Sequence, residues 1–146
     1  MSYYLLRPEV AGELGENSKV VYEGGRMKAV LHLEYVFTGW LGDELLTTHP
    51  CFIVTESLQR DIVSNNLKGV RFREIKMSFS EEFFETCKDT EFPCFVELIC
   101  ESSYEENAHC LQNDFYYNRY KELIVSEKTL EVINRHKVDM CNIEEV

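Results

Sequence analysis

Apolar positions in this chain come in short runs interrupted by polar ones every few residues, which predicts many short strands and few helices. Residues 29–37 alternate most cleanly. Leu31, Leu33, Tyr35 and Phe37 fall on one side with His32 and Glu34 opposite, the pattern of a half-buried strand. Gly24-Gly25 ahead of it marks a turn. Residues 3–6 predict an N-terminal strand stopped at Pro8, and residues 93–99 and 115–120 two more. Between residues 80 and 87 the spacing predicts a helix, with Ser80 as cap and Glu81-Glu82 in its first turn. Residues 10–19 read as a polar loop or short helix.

One unit is written twice. CFIVTESLQRDIVSNNLKGVRFREI (residues 51–75) aligns without a gap on ELIVSEKTLEVINRHKVDMCNIEEV (residues 122–146). Each copy opens on a β-branched apolar run and continues with a Thr or Ser able to accept from the free amides of a helix start. A glutamate follows, where the helix dipole favours negative charge. Leu58 and Ile62 in the first copy, and Leu130 and Ile133 in the second, give short helices an apolar face. Asn65-Asn66 and Gly69 then end the first helix, and the chain resumes extended. The expected unit is strand, helix, strand. The expected fold is α+β: mixed or antiparallel sheets with a few short helices in one domain spanning residues 1–146.

At 146 residues and 45% hydrophobic content the chain can bury a core without disulfides or metals. No run approaches the roughly 20 apolar residues that cross a bilayer, and MSYYLLRPEV has neither the basic leader nor the apolar stretch of a signal peptide, so the cytosol is expected. The six cysteines are then expected as reduced thiols. None forms a C-x-x-C pair, and Cys100, His109 and Cys110 match no standard zinc spacing; no metal or cofactor is expected. Twenty-six acids against fifteen bases give −11, which argues against a basic face for nucleic acid or an anionic membrane and favours a basic partner. Residues 81–106 hold nine of the acids and one base, a local −8.

Two stretches carry candidate chemistry. GWLGDELLTTHPCFIVTE (residues 39–56) gathers Asp43, Glu44, His49 and Cys51, and a Cys-His pair activates a thiolate when the two meet. This is the alternative of a small cytosolic thiol enzyme. Each residue also has a structural reading: Trp40 anchors to the core, Gly42-Asp43 turns the chain and caps a short helical turn, and Pro50 precedes a buried strand. No nucleophile elbow, P-loop, dinucleotide-binding turn or H-E-x-x-H helix accompanies them, and His32, His49, His109 and His136 are scattered. The acidic stretch is the second candidate. It interleaves carboxylates with aromatics: Phe83 and Phe84 beside Glu81, Glu82 and Glu85, then Glu97, Glu101, Tyr104, Glu105 and Glu106, followed by Asp114, Tyr116 and Tyr117. Carboxylates steer a basic protein inward while aromatic anchors hold it. The expected contact face is therefore Glu97, Glu101, Tyr104, Glu105, Glu106, Asp114, Tyr116 and Tyr117.

The segments MSYYLLRPEVAGELGEN, GWLGDELLTTHPCFIVTESL and LIVSEKTLEVINRHKVDMCNIEEV together resemble bacterial polymorphic-toxin immunity proteins, in particular immunity families eleven and forty-three, where a V-[ST]-E segment begins a helix. The resemblance implies a non-enzymatic cytosolic inhibitor without a cofactor. Its partner would be a cognate toxin domain, neutralised by stoichiometric blockade of the active site or substrate entrance. Residues 78–122 line up least with these families, so the identity of the toxin is the part the resemblance implies least.

Overall fold

The computed structural model describes residues 2–87, 91–105 and 111–146. Its elements run β1 (Tyr3–Arg7), β2 (Gly12–Leu14), β3 (Lys19–Glu23), β4 (Arg26–His32), β5 (Glu34–Phe37), β6 (Leu45–Thr48), β7 (Cys51–Thr55) and α1 (Glu56–Ser64). They continue as β8 (Val70–Arg73), β9 (Lys76–Phe79), α2 (Glu81–Thr86), β10 (Phe95–Cys100), β11 (Phe115–Tyr117), β12 (Leu123–Ser126), α3 (Glu127–Ile133) and β13 (Asn142–Glu145). The class is α+β, with three short helices among the described residues and most sheet pairings antiparallel.

The duplicated sequence becomes duplicated architecture. One sheet has the order β6-β7-β10-β8 and another β11-β12-β1-β13. In each, a hairpin leads into a helix, and the strand after the helix is separated from the hairpin by a strand borrowed from elsewhere in the chain. The registers correspond. Thr55 lies opposite Phe95, and Ser126 lies opposite Tyr3. Arg73 lies opposite Glu97, and Glu144 lies opposite Leu5. The helix starts match as well: Thr55 Oγ1 accepts from the Leu58 amide and Ser126 Oγ from the Thr129 amide, both at 3.2 Å. In the first copy the chain leaves α1 through Gly69, whose φ of +85° is a conformation that glycine adopts without strain.

The main core lies between the inner faces of these two sheets and the helices, where Phe52, Val54, Leu98, Leu123 and Val125 meet Leu58, Ile62 and Val132. On its outer side the first sheet packs Leu46, Ile53 and Phe95 against a third sheet, ordered β2-β5-β9, through Leu33, Tyr35 and Phe37. The second sheet's outer face carries Tyr3, Leu5, Tyr116 and Ile124.

Several sequence expectations change. Residues 29–37 are two strands, because the chain changes partners at Leu33: β4 pairs with β3 in a separate hairpin, whereas β5 joins β2 and β9. Leu31 is therefore 56% exposed although it keeps phase with the buried Leu33, Tyr35 and Phe37. Residues 10–19 contain β2, which finds its ladder on β5. No helical turn follows Asp43, since Leu45–Thr48 is the hairpin partner of β7. The strand expected over 115–120 ends at Tyr117, where Asn118 Oδ1 accepts from the amides of Tyr120 and Glu122 and turns the chain back into β12.

Candidate functional site

The Trp40 to Cys51 stretch is built as a strut. The Trp40 indole donates to the Asp43 carbonyl at 2.8 Å and packs against Phe92, with ring centroids 4.9 Å apart. Asp43 is fully buried, and its carboxylate accepts from the amides of Asp139 (3.0 Å) and Met140 (2.7 Å), pinning the segment that leads into β13. Glu44 accepts from the Thr55 hydroxyl (2.7 Å) and lies 3.1 Å from His136 Nδ1, while His136 Nε2 lies 2.9 Å from Asp61. Burial raises the Glu44 carboxyl, but bonds from Thr55, the Lys137 amide and His136 outweigh it and hold it below its ordinary range. His136 thus ties the ends of α1 and α3 to the start of β6, a role that its isolated position in sequence did not signal.

The thiol has the opposite of nucleophilic character. Cys51 is 4% exposed, and burial, reinforced by the Glu97 charge, pushes its pKa up to about 12. His49 is exposed at the tip of the β6–β7 hairpin. Among the described residues no group of three or more His, Cys, Asp or Glu is placed to hold a metal ion; His109 and Cys110 lie outside those residues.

The single contact face expected from Glu97 to Tyr117 is not assembled. Glu97 is 4% exposed and accepts from Arg73 at 2.7 and 3.0 Å across the β8–β10 ladder, so it is a buried ion pair. Asp114 accepts from the Lys68 amide (2.8 Å) and the Ser126 hydroxyl (2.7 Å) and so organises the entry to α3. Tyr116 is 4% exposed, packs on Tyr3 and accepts from the Asn113 amide at 2.8 Å. Tyr117 turns to the other side of β11 because neighbouring strand residues face opposite ways, and it stacks near Phe52 in the main core. Tyr116 and Tyr117 cannot anchor one partner together. Glu101 and Glu105 are exposed around the half-buried Tyr104; Glu106 lies outside the described residues.

The other end of the acidic stretch does combine charge with exposed aromatic surface. Ser80 caps α2 by accepting from the Phe83 amide at 3.2 Å. The cap fixes the helix phase so that Phe83 enters the core against Phe79, Phe92 and Phe37. Phe84, one residue on, points outward and is 58% exposed; Phe79 is 36% exposed, with the two ring centroids 6.1 Å apart. Glu81, Glu82 and Glu85 are all exposed on the same helix. The sequence placed Phe83 and Phe84 among carboxylates. It did not show that Phe79, two residues before α2 at the end of β9, would join Phe84.

No described helix is long and apolar enough to cross a membrane. No family model matches the chain, and no curated protein matches it.

Proposed function

We propose that the protein is an immunity protein, which binds a cognate toxin domain one to one and blocks its active site or substrate entrance inside the cytosol of the cell it protects. The reading rests on the sequence resemblance and on one observation: Phe84 and Phe79 expose aromatic surface beside Glu81, Glu82 and Glu85. Isolated exposed apolar residues are ordinary, but paired rings bordered by acids have the make-up of an interface centre with its steering rim. Protection against a few catalytic molecules needs nanomolar affinity or better, about −12 kcal/mol. Surface ion pairs supply roughly 0–1 kcal/mol each, so the rings carry the affinity and the carboxylates carry the encounter. The partner accordingly presents an apolar recess ringed by Lys and Arg. The wider charge of −11 favours the same sign of partner.

Co-expression tests this directly. A toxic C-terminal domain encoded beside this chain stops growth alone, and the wild-type chain restores it. Phe84→Ala, at an exposed position, keeps the thermal midpoint and loses the protection. A chain that gives no protection, or a Phe84→Ala variant that protects equally well, would remove the reading.

A further inference from the structure

Within this acidic chain the described residues form a basic cleft. It has a volume of about 410 Å³ and lies on the outer side of the β6-β7-β10-β8 sheet, walled by the β3–β4 hairpin and the loop between β11 and β12. Lys28, Arg71, Arg73, Arg119 and Lys121 line it, with Glu97 the one carboxylate among the lining residues. One third of the chain's fifteen Lys and Arg thus converge on a single cavity and leave it +4, while the remainder of the chain carries −15.

The cations are arranged by depth. Arg73 is spent internally on Glu97 and on the Val30 carbonyl, at 2.7 and 2.9 Å. Lys28 pairs with Glu23, and Lys121 donates to the Lys28 carbonyl. Arg71 and Arg119 are exposed, and neither has a carboxylate within ion-pair distance among the described residues. Arg119 is held rather than free, because its guanidinium lies 4.8 Å over the Tyr120 ring on a loop closed by Asn118. Below this rim lie Val30, Pro50, Ile99 and Tyr117, half-buried and mostly apolar, and beneath them Cys51 and Glu97.

We infer that the cleft binds a small phosphate monoester carried on a flat or apolar body, of about the size of a mononucleotide. The volume falls in the range of ligand sites, and a cleft lined by one sign of charge concentrates the opposite ion. Guanidinium groups match a phosphate with paired donors. Glu97 and Arg73 satisfy each other at the floor, which leaves no free cation there, so the phosphate sits at the rim with Arg71 and Arg119 while the body rests on Ile99, Val30 and Tyr117. A long polyanion is disfavoured, since the chain outside the cleft carries a net −15 that repels it. None of the lining residues belongs to α2, so this site stands apart from the toxin-binding proposal.

Isothermal titration of the full chain with adenosine 5′-monophosphate, inorganic phosphate and adenosine tests it. Adenosine 5′-monophosphate binds one to one, tighter than about 1 mM. Inorganic phosphate binds more weakly and is displaced by it; adenosine gives no measurable heat. Arg71→Ala and Arg119→Ala each weaken binding about tenfold, the loss of one charge-assisted hydrogen bond, and leave the thermal midpoint unchanged. Absence of binding, or affinity indifferent to both substitutions, would overturn the inference. So would tighter capture of a single-stranded oligonucleotide or of a polyglutamate peptide, because either would make the cleft a macromolecular surface.

Discussion

Cys51 and Arg73 show how one substitution at the base of the cleft separates alternative chemistries. With its pKa pushed up to about 12, Cys51 stays protonated at neutral pH, and the thiolate is the reactive form. Timed alkylation with site-resolved mass spectrometry should label the exposed Cys94 early, with Cys51, like the buried Cys100, reacting only as the protein unfolds. Rapid, selective labelling of Cys51 at neutral pH would restore the thiol-enzyme alternative. Arg73 neutralises a carboxylate whose side chain is 5% exposed. Removing it strands that charge, so Arg73→Ala should cost about 3 kcal/mol in denaturant unfolding, whereas the exposed Arg71→Ala should cost little. Individual residues were the hardest scale to read from sequence. Glu97 belongs to an acid-rich run by its neighbours in the chain, but its strand phase turns it inward onto Arg73. Asp43 and Asp114 likewise look like surface acids and are carboxylates that cap backbone amides of distant segments.

Elements were more legible, because their signals are local. The apolar run, hydroxyl and glutamate written at both 52–56 and 123–127 specify strand, cap and first helical turn, and both helices begin where these residues place them. The caps are a test of that reading. Ser126→Ala removes the acceptor for the Thr129 amide and the donor to Asp114, and should cost about 1–2 kcal/mol of stability in chemical denaturation. Thr55→Ala should fall in the same range, since Thr55 both caps α1 and donates to Glu44. A change below a few tenths at both positions would mean that tertiary packing alone sets the helix starts. Sequence could not show which strand pairs with which. The β1 and β10 insertions, the partner change at Leu33 and the pairing of β2 on β5 all join segments far apart in the chain, and no local pattern encodes them.

For the whole molecule, charge separates into places with different consequences. Glu34 is 4% exposed, and its carboxyl is held below the ordinary 4.5 by the Ser78 hydroxyl first and then the Asn17 amide, against burial. Glu44 is held low as well. A depressed carboxyl contributes stability that is complete above its unfolded value and is lost as pH falls through the folded value. The thermal midpoint should therefore drop below about pH 4.5, and Glu34→Gln should lower it at neutral pH while flattening that acid limb. Glu9, raised mainly by burial, works in the opposite sense and subtracts stability as pH rises through its own value. The net −11 was plain in the sequence; the basic cleft inside it was not. Lys28, Arg71, Arg73, Arg119 and Lys121 come from the β3–β4 hairpin, β8 and the loop after β11, and only the sheet topology gathers them.

Under the proposed function the protein occupies a toxin domain through the acid-bordered rings of α2 and β9. The decisive measurement is the binding kinetics of the purified chain on the immobilised toxin domain across a range of salt concentrations. Association should be fast and salt-sensitive. Glu81→Gln, Glu82→Gln and Glu85→Gln together should slow it and flatten the salt dependence while dissociation barely changes, and Phe84→Ala should speed dissociation instead. Association indifferent to salt and to all three glutamates, with dissociation unmoved by Phe84→Ala, would contradict it.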